Sequence, residues 1–281
     1  MRLGVYLPVS FPDRTPPARE IADYAMAAED LGFDSLWIGD HLRWRAPMAE
    51  PLTTLSYVAA RTTRIRLGIN VFLAALRPAA LSARMLGNLW WLADGRLVLG
   101  VGVGGDNVAD FEAVDVPVGR RGALLDAALD GIADWWSDGG VLPRPETPCP
   151  IWVGGRSEAA LARVVRRRAD GFTAHLVTPD QLGRHVTRLR EMCAEAGAPM
   201  PEVAATVMVN VHDGASDARS FLRAHFGDDF RGGRYLVEGP PAECAEQLQN
   251  FASIVDHLIL LPATFTALPQ LSVMRELVET Q

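Results

Sequence analysis

The feature that most constrains the fold of this chain is a regular alternation of short apolar runs with longer amphipathic ones. Eight short runs have the character of β-strands, and they span residues 2–7, 33–38, 65–72, 96–101, 151–153, 171–176, 203–211 and 257–261. After each run comes a segment with apolar residues at helical spacing, as in residues 17–31, 78–93 and 179–196. Strands that alternate with helices in this way predict a parallel sheet covered by helices.

The number of these units favours a closed barrel over an open sheet. Eight strand–helix units fit into 281 residues, and a (β/α)8 barrel typically needs about 250. No strand–GxGxxG–helix unit opens the chain, which weakens the open doubly wound alternative. We interpret the glycine- and proline-rich segments 139–150 and 227–241 as loops within the barrel. The prediction is an α/β chain with one domain over residues 1–281, a single (β/α)8 TIM barrel with short loop insertions.

Charge and cysteine content narrow the classes of function. The net charge of −7 gives no global positive field for nucleic acid or an anionic membrane. The sequence has no uninterrupted apolar run of about 18 residues, and its first residues lack a signal-peptide pattern. The cysteines, Cys149, Cys193 and Cys244, form no CxxC pair, and the histidines show no metal-ligand spacing. We therefore expect a cytoplasmic chain that binds no nucleic acid, membrane or metal.

In a barrel of this kind the active site lies at the carboxyl ends of the strands. Asp40 and His41 end the second strand, and a histidine beside a carboxylate can bind a ring or move a proton near neutral pH. The alternative is a polar strand end that caps the next loop. Because adjacent side chains on a strand point to opposite faces, only one of the two is expected to face the barrel mouth. His175 also ends a strand, whereas we interpret the other histidines as structural or surface residues.

The segment Gly154-Gly155-Arg156-Ser157 is the most informative of the strand ends. It follows the apolar run Ile151-Trp152-Val153 and opens a helical segment. Free amides, the helix dipole, a guanidinium and a hydroxyl together make an anion site at such a position. The alternative is a plain helix cap formed by Ser157. We favour phosphate binding.

Six segments, taken in order, resemble the luciferase-like monooxygenase family, especially actinobacterial members that use the deazaflavin coenzyme F420. They are RLGVYLP; AEDLGFDSLWIGDHL; TTRIRLGINVF; LADGRLVLGVGVGG with FEAVDVPVGRRGALLDAAL; PIWVGGRSEAALARVVRRRADGF; and GPPAECAEQLQNF before DHLILLPA. Each segment alone has little specificity for the family, but the six together cover nearly the whole chain and form a specific pattern. The resemblance implies a TIM barrel whose flavin or deazaflavin ring lies over the strand ends.

The resemblance also assigns roles to individual residues. It places Asp40 and His41 near the ring, with His41 as the residue that transfers a proton. Asn70 and Val71 end the third strand, where family members often have a bulge or a non-proline cis peptide against the ring. The remaining positions implied to hold the cofactor are Val103 and Gly104 at its side chain, and Gly154, Gly155, Arg156 and Ser157 at its phosphate.

Three functions are compatible with this resemblance. The first is an F420-dependent oxidoreductase that transfers a hydride between the deazaflavin C5 and a small organic substrate. The alternative is an FMN-dependent monooxygenase that uses O₂. Departures from the family pattern at Ile69 and Asp106 keep open a third, a barrel that binds a flavin or deazaflavin without turnover. The resemblance also implies self-association, since family members often form homodimers.

Overall fold

The computed structural model describes residues 1–10, 14–105, 107–137, 139–228, 230 and 232–279. Within these residues one parallel sheet contains nine strands: β1 Arg2–Tyr6, β2 Ser35–Ile38, β3 Arg66–Phe72, β4 Leu97–Val101, β5 Ile151–Gly154, β6 Gly171–His175, β7 Glu202–Val211, β8 Leu236–Gly239 and β9 His257–Pro262. Most residues of these strands are buried on both faces of the sheet, which explains why the strands read as nearly continuous apolar runs rather than as an alternating pattern.

Eight of these strands close into a barrel. Each strand from β1 to β6 pairs with the next strand along the chain, up to the pairing of β6 with β7. The barrel closes because β9 pairs with both β7 and β1, with Arg2 opposite His257 at the start of the β1–β9 ladder. The predicted (β/α)8 barrel is confirmed.

The ninth strand, β8, lies in the segment 227–241, which the sequence pattern predicts to be a loop. It pairs only with the last residues of β7, from Met208 to Val211. β7 is ten residues long, and its carboxyl end extends past its pairing with β6. A strand of four residues has too few positions to show a periodic pattern, so this part of the loop prediction is wrong.

Helices surround the barrel. Those in the described residues are α1 Ala18–Asp30, α2 Pro51–Ala59, α3 Ala79–Leu92, α4 Ala109–Glu112, α5 Arg121–Ser137, α6 Glu158–Arg167, α7 Pro179–Ala196, α8 Ala218–Phe226, α9 Pro241–Ala252 and α10 Gln270–Glu279. The bounds of α7 agree with the predicted helix because its caps are encoded locally: Thr178 and Gln181 form a capping box, and Gly197 ends the helix in a left-handed conformation. None of the described helices is long and apolar enough to cross a membrane.

Large side chains fill the amino-terminal half of the barrel interior. The rings of Trp37 and Trp152 lie 5.1 Å apart between their centroids, and both are buried. A side chain at Gly68 would place its Cβ 2.2 Å from Trp37, so only glycine leaves room for that ring. His257 is fully buried in the same layer, with Nε2 2.8 Å from Oγ of Ser35. The cavity at the carboxyl ends of the strands lies beyond this packed layer.

Candidate functional site

A cavity of about 970 Å³ opens at the carboxyl ends of the barrel strands. It is lined by all ten residues predicted from the sequence and the resemblance: Asp40, His41, Asn70, Val71, Val103, Gly104, Gly154, Gly155, Arg156 and Ser157. His175 lines it too, as its position at a strand end predicts. Asp106 lies outside the described residues. The barrel therefore brings the predicted residues together, and their individual roles stay predictions.

His41 is anchored beside the cavity by a buried carboxylate. Its Nδ1 lies 2.7 Å from Oδ2 of Asp110, whose side chain is only 2% exposed. The imidazole also stacks on Trp44, with 4.1 Å between the ring centroids. Against an ionised Asp110, Nδ1 carries a proton, so Nε2 is the nitrogen that can accept or release one. His41 is thus oriented for proton exchange.

Nothing in the sequence pattern marks Asp110 as part of the site. It lies in α4, a single helical turn that follows the glycine-rich segment after β4. Its second oxygen, Oδ1, accepts hydrogen bonds from the backbone N–H groups of Leu42 and Arg43, each at 2.8 Å. One carboxylate therefore fixes both the ring of His41 and the backbone that follows it. The partnership spans 69 positions in the chain, which only the folded structure reveals.

Asp40 borders the cavity, but its carboxylate is engaged inside the protein. Its two oxygens accept hydrogen bonds from the Arg77 guanidinium at 2.7 and 2.8 Å. Oδ2 also accepts one from the backbone N–H of Leu73 at 2.9 Å. This corresponds to the alternative interpretation, a polar strand end that braces the next loop. The contact of Asp40 with a bound ring stays a prediction.

The end of β3 has the backbone irregularity that the resemblance implies. The peptide bond between Asn70 and Val71 is cis. The pairing of β3 with β4 also shifts register between Ile69 and Phe72. As a result, the chain at this point departs from regular strand geometry where it borders the cavity.

The side chain of Asn70 spans the barrel beneath this irregularity. Its Nδ2 donates to the hydroxyls of Thr206 and Thr173, at 3.0 and 3.2 Å. Its backbone carbonyl accepts a hydrogen bond from the Tyr6 hydroxyl at 2.7 Å. Burial raises the pKa of Tyr6 well above its ordinary value, so this phenol stays protonated and donates. Asn70 therefore fixes the cavity floor to three other strands.

Val71 projects into space that neighbouring glycines leave open. A Cβ added at Gly102 or at Gly154 would lie 2.4 Å from a methyl group of Val71. A Cβ added at Gly155 would lie 2.6 Å from that of Ala160. We call Val71, Gly102, Gly154 and Gly155 the glycine cradle. Val71 and Ala160 fill the positions that side chains at these glycines would take, and the cradle presents backbone and small apolar groups to the cavity.

The amino-terminal end of α6 lies beside the glycine cradle. Ser157 caps this helix, and its Oγ accepts a hydrogen bond from the backbone N–H of Ala160 at 3.3 Å. The plain-cap interpretation of Ser157 is therefore correct as far as its hydroxyl is concerned. The cap leaves intact the positive end of the helix dipole, which favours an anion. Arg156, next to the cap, also borders the cavity and donates to the carbonyl of Leu176 at 3.4 Å.

Two further arginines line the same end of the cavity, although neither lies at a strand end. Arg163 is engaged by Asp126, with 2.9 Å between Nε and Oδ1. Nη1 of Arg121 donates to the carbonyl of Val118 at 3.1 Å. Nε of Arg121 is buried and has no hydrogen-bond partner among the described residues. An N–H group without a partner at a cavity is available to a ligand.

The opposite side of the cavity is built from aromatic rings. We call Trp44, Phe221, His225, Phe226 and Phe230 the aromatic wall; all five line the cavity. Phe221 stacks on His225, with 5.4 Å between centroids and 12° between planes. Phe226 stacks on Phe230 at 4.3 Å, and Trp44 meets Phe226 edge-on at 5.9 Å. The wall thus forms a continuous set of ring contacts.

A buried network holds the start of α8, which carries three rings of the wall. Oδ1 of Asp217 accepts a hydrogen bond from Asn210 at 2.7 Å. Oδ2 accepts from the Thr264 hydroxyl at 2.8 Å and from the backbone N–H of Phe265 at 3.0 Å. These contacts connect the helix to β7 and to the segment after β9. The wall is therefore positioned from the barrel rim.

The interpretation of His225 as a structural or surface residue is incomplete, because its ring lines the cavity. Its Nδ1 lies 3.4 Å from Oγ of Ser10. Burial, with a smaller contribution from nearby His41, lowers the pKa of His225 to about 4. The ring is neutral at pH 7 and so keeps one donor and one acceptor nitrogen. It comes from the last turn of α8, a position that the strand-end rule does not cover.

The sequence profile described as luciferase-like monooxygenase matches residues 1–232. An F420-dependent glucose-6-phosphate dehydrogenase of Kineococcus radiotolerans is 36% identical over 176 residues, which cover 54% of this chain and 51% of that enzyme. The chain thus spans about half the length of this curated relative.

Solved structures share the fold over nearly the whole chain. An F420-dependent secondary alcohol dehydrogenase in complex with an F420–acetone adduct has a TM-score of 0.84 at 17% identity, and the match covers 99% of this chain and 98% of that one. The oxygenating constituent of 3,6-diketocamphane monooxygenase from Pseudomonas putida, in complex with FMN, has a TM-score of 0.77 at 17% identity, with 100% and 99% covered. At these identities the likeness shows the fold alone.

Proposed function

The chain belongs to the luciferase-like monooxygenase family, and we propose that it is an oxidoreductase that uses coenzyme F420 to transfer a hydride to or from a small organic substrate. The observation that carries this proposal is the His41–Asp110 pair, which lies in the same cavity as the glycine cradle. A group that exchanges protons next to a site for a flat ring suits the oxidation of an alcohol or the reduction of a ketone. The named function of the Kineococcus relative supports F420 over FMN.

The residues present fit such a cofactor. At the glycine cradle, Val71 and Ala160 fill the space beside the glycines, so backbone and small apolar groups would face a flat ring. The buried Nε of Arg121 has no hydrogen-bond partner among the described residues and can donate to an oxygen of the ligand. Arg156 and the amino-terminal end of α6 would hold the phosphate, and Val103 and Gly104 would support the cofactor's side chain. The bound deazaflavin would supply the two-electron chemistry at its C5.

The protein's own contribution to the reaction is positional and acid–base. Asp110 holds Nδ1 of His41, so Nε2 can take the proton of a substrate hydroxyl or return it to a carbonyl oxygen. The stacking of His41 on Trp44 restricts rotation of the imidazole. The aromatic wall covers the far side of the cavity and limits the access of water.

Separate titrations of the purified chain with F420 and with FMN, followed by fluorescence, test the cofactor. We expect tight binding of F420 and weak binding of FMN. The reverse preference would favour the FMN-dependent monooxygenase. If F420 bound tightly but no alcohol or ketone changed its redox state, the chain would be a cofactor-binding protein without turnover. If neither cofactor bound, the assignment of the glycine cradle would be wrong.

Self-association belongs to the same proposal. Trp91 and Leu81 of α3 are 64% and 50% exposed, and Leu142, after α5, is 61% exposed. Large apolar side chains that are exposed in one subunit are often buried in an interface with a second subunit. We expect a homodimer in sedimentation velocity experiments, and a monomer across micromolar concentrations would contradict it.

A further inference from the structure

The aromatic wall has no role in holding the cofactor as proposed above. Its rings contact one another on the side of the cavity formed by α8 and by the segment after β2. Leu222, Met208 and Ala263, which also line the cavity, extend this apolar surface. Stacked and edge-on rings of this kind favour a planar or cyclic hydrocarbon partner.

Two polar groups interrupt this apolar surface. His225 is neutral at pH 7, because burial lowers its pKa to about 4. Its ring centroid lies 5.6 Å from that of Trp44. The indole Nε1 of Trp44 is buried and has no hydrogen-bond partner among the described residues. A donor without a partner requires an acceptor, so a ligand with an oxygen atom on its ring system suits the wall better than a pure hydrocarbon.

The wall is poorly suited to a charged substrate. Its five residues carry no arginine, and the whole chain has no lysine. The cavity arginines 121, 156 and 163 come from other segments, at or beside the glycine-rich end. Arg45 also lines the cavity, but it is exposed and lies next to Gly227. A sugar phosphate would therefore leave its phosphate near aromatic rings without a buried cation to receive it.

We infer that the substrate is an uncharged molecule with a planar ring that lies against the aromatic wall, and with an alcohol or ketone oxygen that His225 helps to bind. This rests on the proposed function for the reaction itself. In the oxidative direction a bound oxidised F420 would supply the acceptor for the hydride of the carbinol carbon, which leaves with both electrons of its C–H bond. The hydroxyl proton passes to Nε2 of His41, and a ketone is released.

Three probes separate the features of this substrate class. Acetophenone has the ring and the oxygen, ethylbenzene has the same skeleton without the oxygen, and glucose 6-phosphate is polar and charged. Their affinities for the chain, measured by ligand-observed NMR titration with and without F420, give the test. We expect acetophenone to bind about threefold to tenfold more tightly than ethylbenzene, the range for one neutral hydrogen bond. Glucose 6-phosphate should bind more weakly than either.

Two variants locate the effect in the wall. His225→Phe keeps an aromatic ring but removes the hydrogen bond, so the preference for acetophenone over ethylbenzene should fall while ethylbenzene binds as before. Phe226→Ala should weaken both aromatic probes about fivefold, the size of one aromatic contact. Trp135→Ala, at an exposed residue of α5, is the matched control and should change neither.

The outcomes distinguish this inference from the proposed function. If F420 binds but glucose 6-phosphate binds as tightly as acetophenone, the substrate class is wrong and the cofactor assignment stands. If the wild-type preference persists in His225→Phe, His225 does not select the oxygen. If acetophenone binds as expected and F420 does not bind, the wall is a ligand site and the proposed redox function is wrong.

Discussion

The two ends of the cavity are built by opposite means. At the glycine cradle, three glycines carry no side chain, and the backbone at the ends of β4 and β5 forms the surface together with Val71. At the aromatic wall, large rings from α8 and its neighbours form the surface, and the backbone lies behind them. The first kind of surface tolerates no added atom, whereas the second changes shape with each substitution. A fixed cofactor end and an adaptable substrate end can thus share one barrel.

The largest effect on turnover is expected from substitution of His41, which lies between the two ends of the cavity. His41→Ala should lower turnover with an alcohol or ketone by about 10²–10⁴-fold, the usual contribution of a general base or acid. Affinity for F420 and for acetophenone should change little, because each is held by one end of the cavity. Steady-state kinetics and direct titrations separate these quantities. A loss of F420 affinity equal to the loss of turnover would place His41 in the cofactor end instead.

The aromatic wall should be sensitive to acid through His225. Its pKa is about 4 in the folded chain and about 6.5 when unfolded. The folded state binds fewer protons than the unfolded state between these values. The free energy of unfolding therefore shows no loss from His225 above about pH 6.5, and it falls as the pH drops toward 4. At pH 5 the loss from this group is about 2 kcal/mol.

Urea unfolding at pH 7.5 and pH 5 measures this loss. His225→Phe should lose less stability between the two pH values than the wild type does. His212→Phe is the matched control and should keep the wild-type difference, because His212 lies outside the aromatic wall and does not line the cavity. An equal loss in wild type and His225→Phe would mean that His225 titrates normally.

The glycine cradle should be sensitive to volume. In Gly154→Ala the new Cβ lies 2.4 Å from Val71. Overpacking of this kind costs about 1–3 kcal/mol of folding stability. The displaced Val71 side chain, which lines the cavity, should also weaken F420 binding about tenfold. The double variant Gly154→Ala with Val71→Ala removes the collision and should recover part of the affinity. Unchanged affinity in the single variant would place the cofactor elsewhere. Acetophenone affinity should not change in either.

The smallest effect is expected at Arg156. Because this side chain is exposed, Arg156→Ala should weaken F420 binding only about twofold to fivefold. Thermal stability should be unchanged. Arg223→Ala, at an exposed ion pair with Asp228, is the control and should leave F420 affinity unchanged. Equal affinity of Arg156→Ala and wild type would remove Arg156 from the phosphate site.

Much of the fold can be predicted from the sequence because its signals are local. Buried parallel strands read as apolar runs, and the caps of α7 are encoded by Thr178, Gln181 and Gly197. β8 could not be predicted, because four residues give no period and its pairing with the end of β7 is non-local. The residues at strand ends could be placed at the cavity because each one directly follows an apolar run that marks a strand.

The partners that these residues contact could not be predicted from the sequence. The contacts of His41 with Asp110, of Asp40 with Arg77 and of Val71 with Gly154 join segments far apart in the chain. His225 and Arg121 lie within helices, so no strand-end rule indicates them.

The sequence by itself determines the barrel and the positions of its catalytic rim, since hydrophobic periodicity and turn residues act within a few positions of each other. The tertiary structure decides which carboxylate holds His41, which carboxylate braces a loop instead, and that aromatic rings line the cavity on the side away from the glycine cradle. These choices depend on which side chains meet once the strands are closed. A one-dimensional pattern contains no such distances.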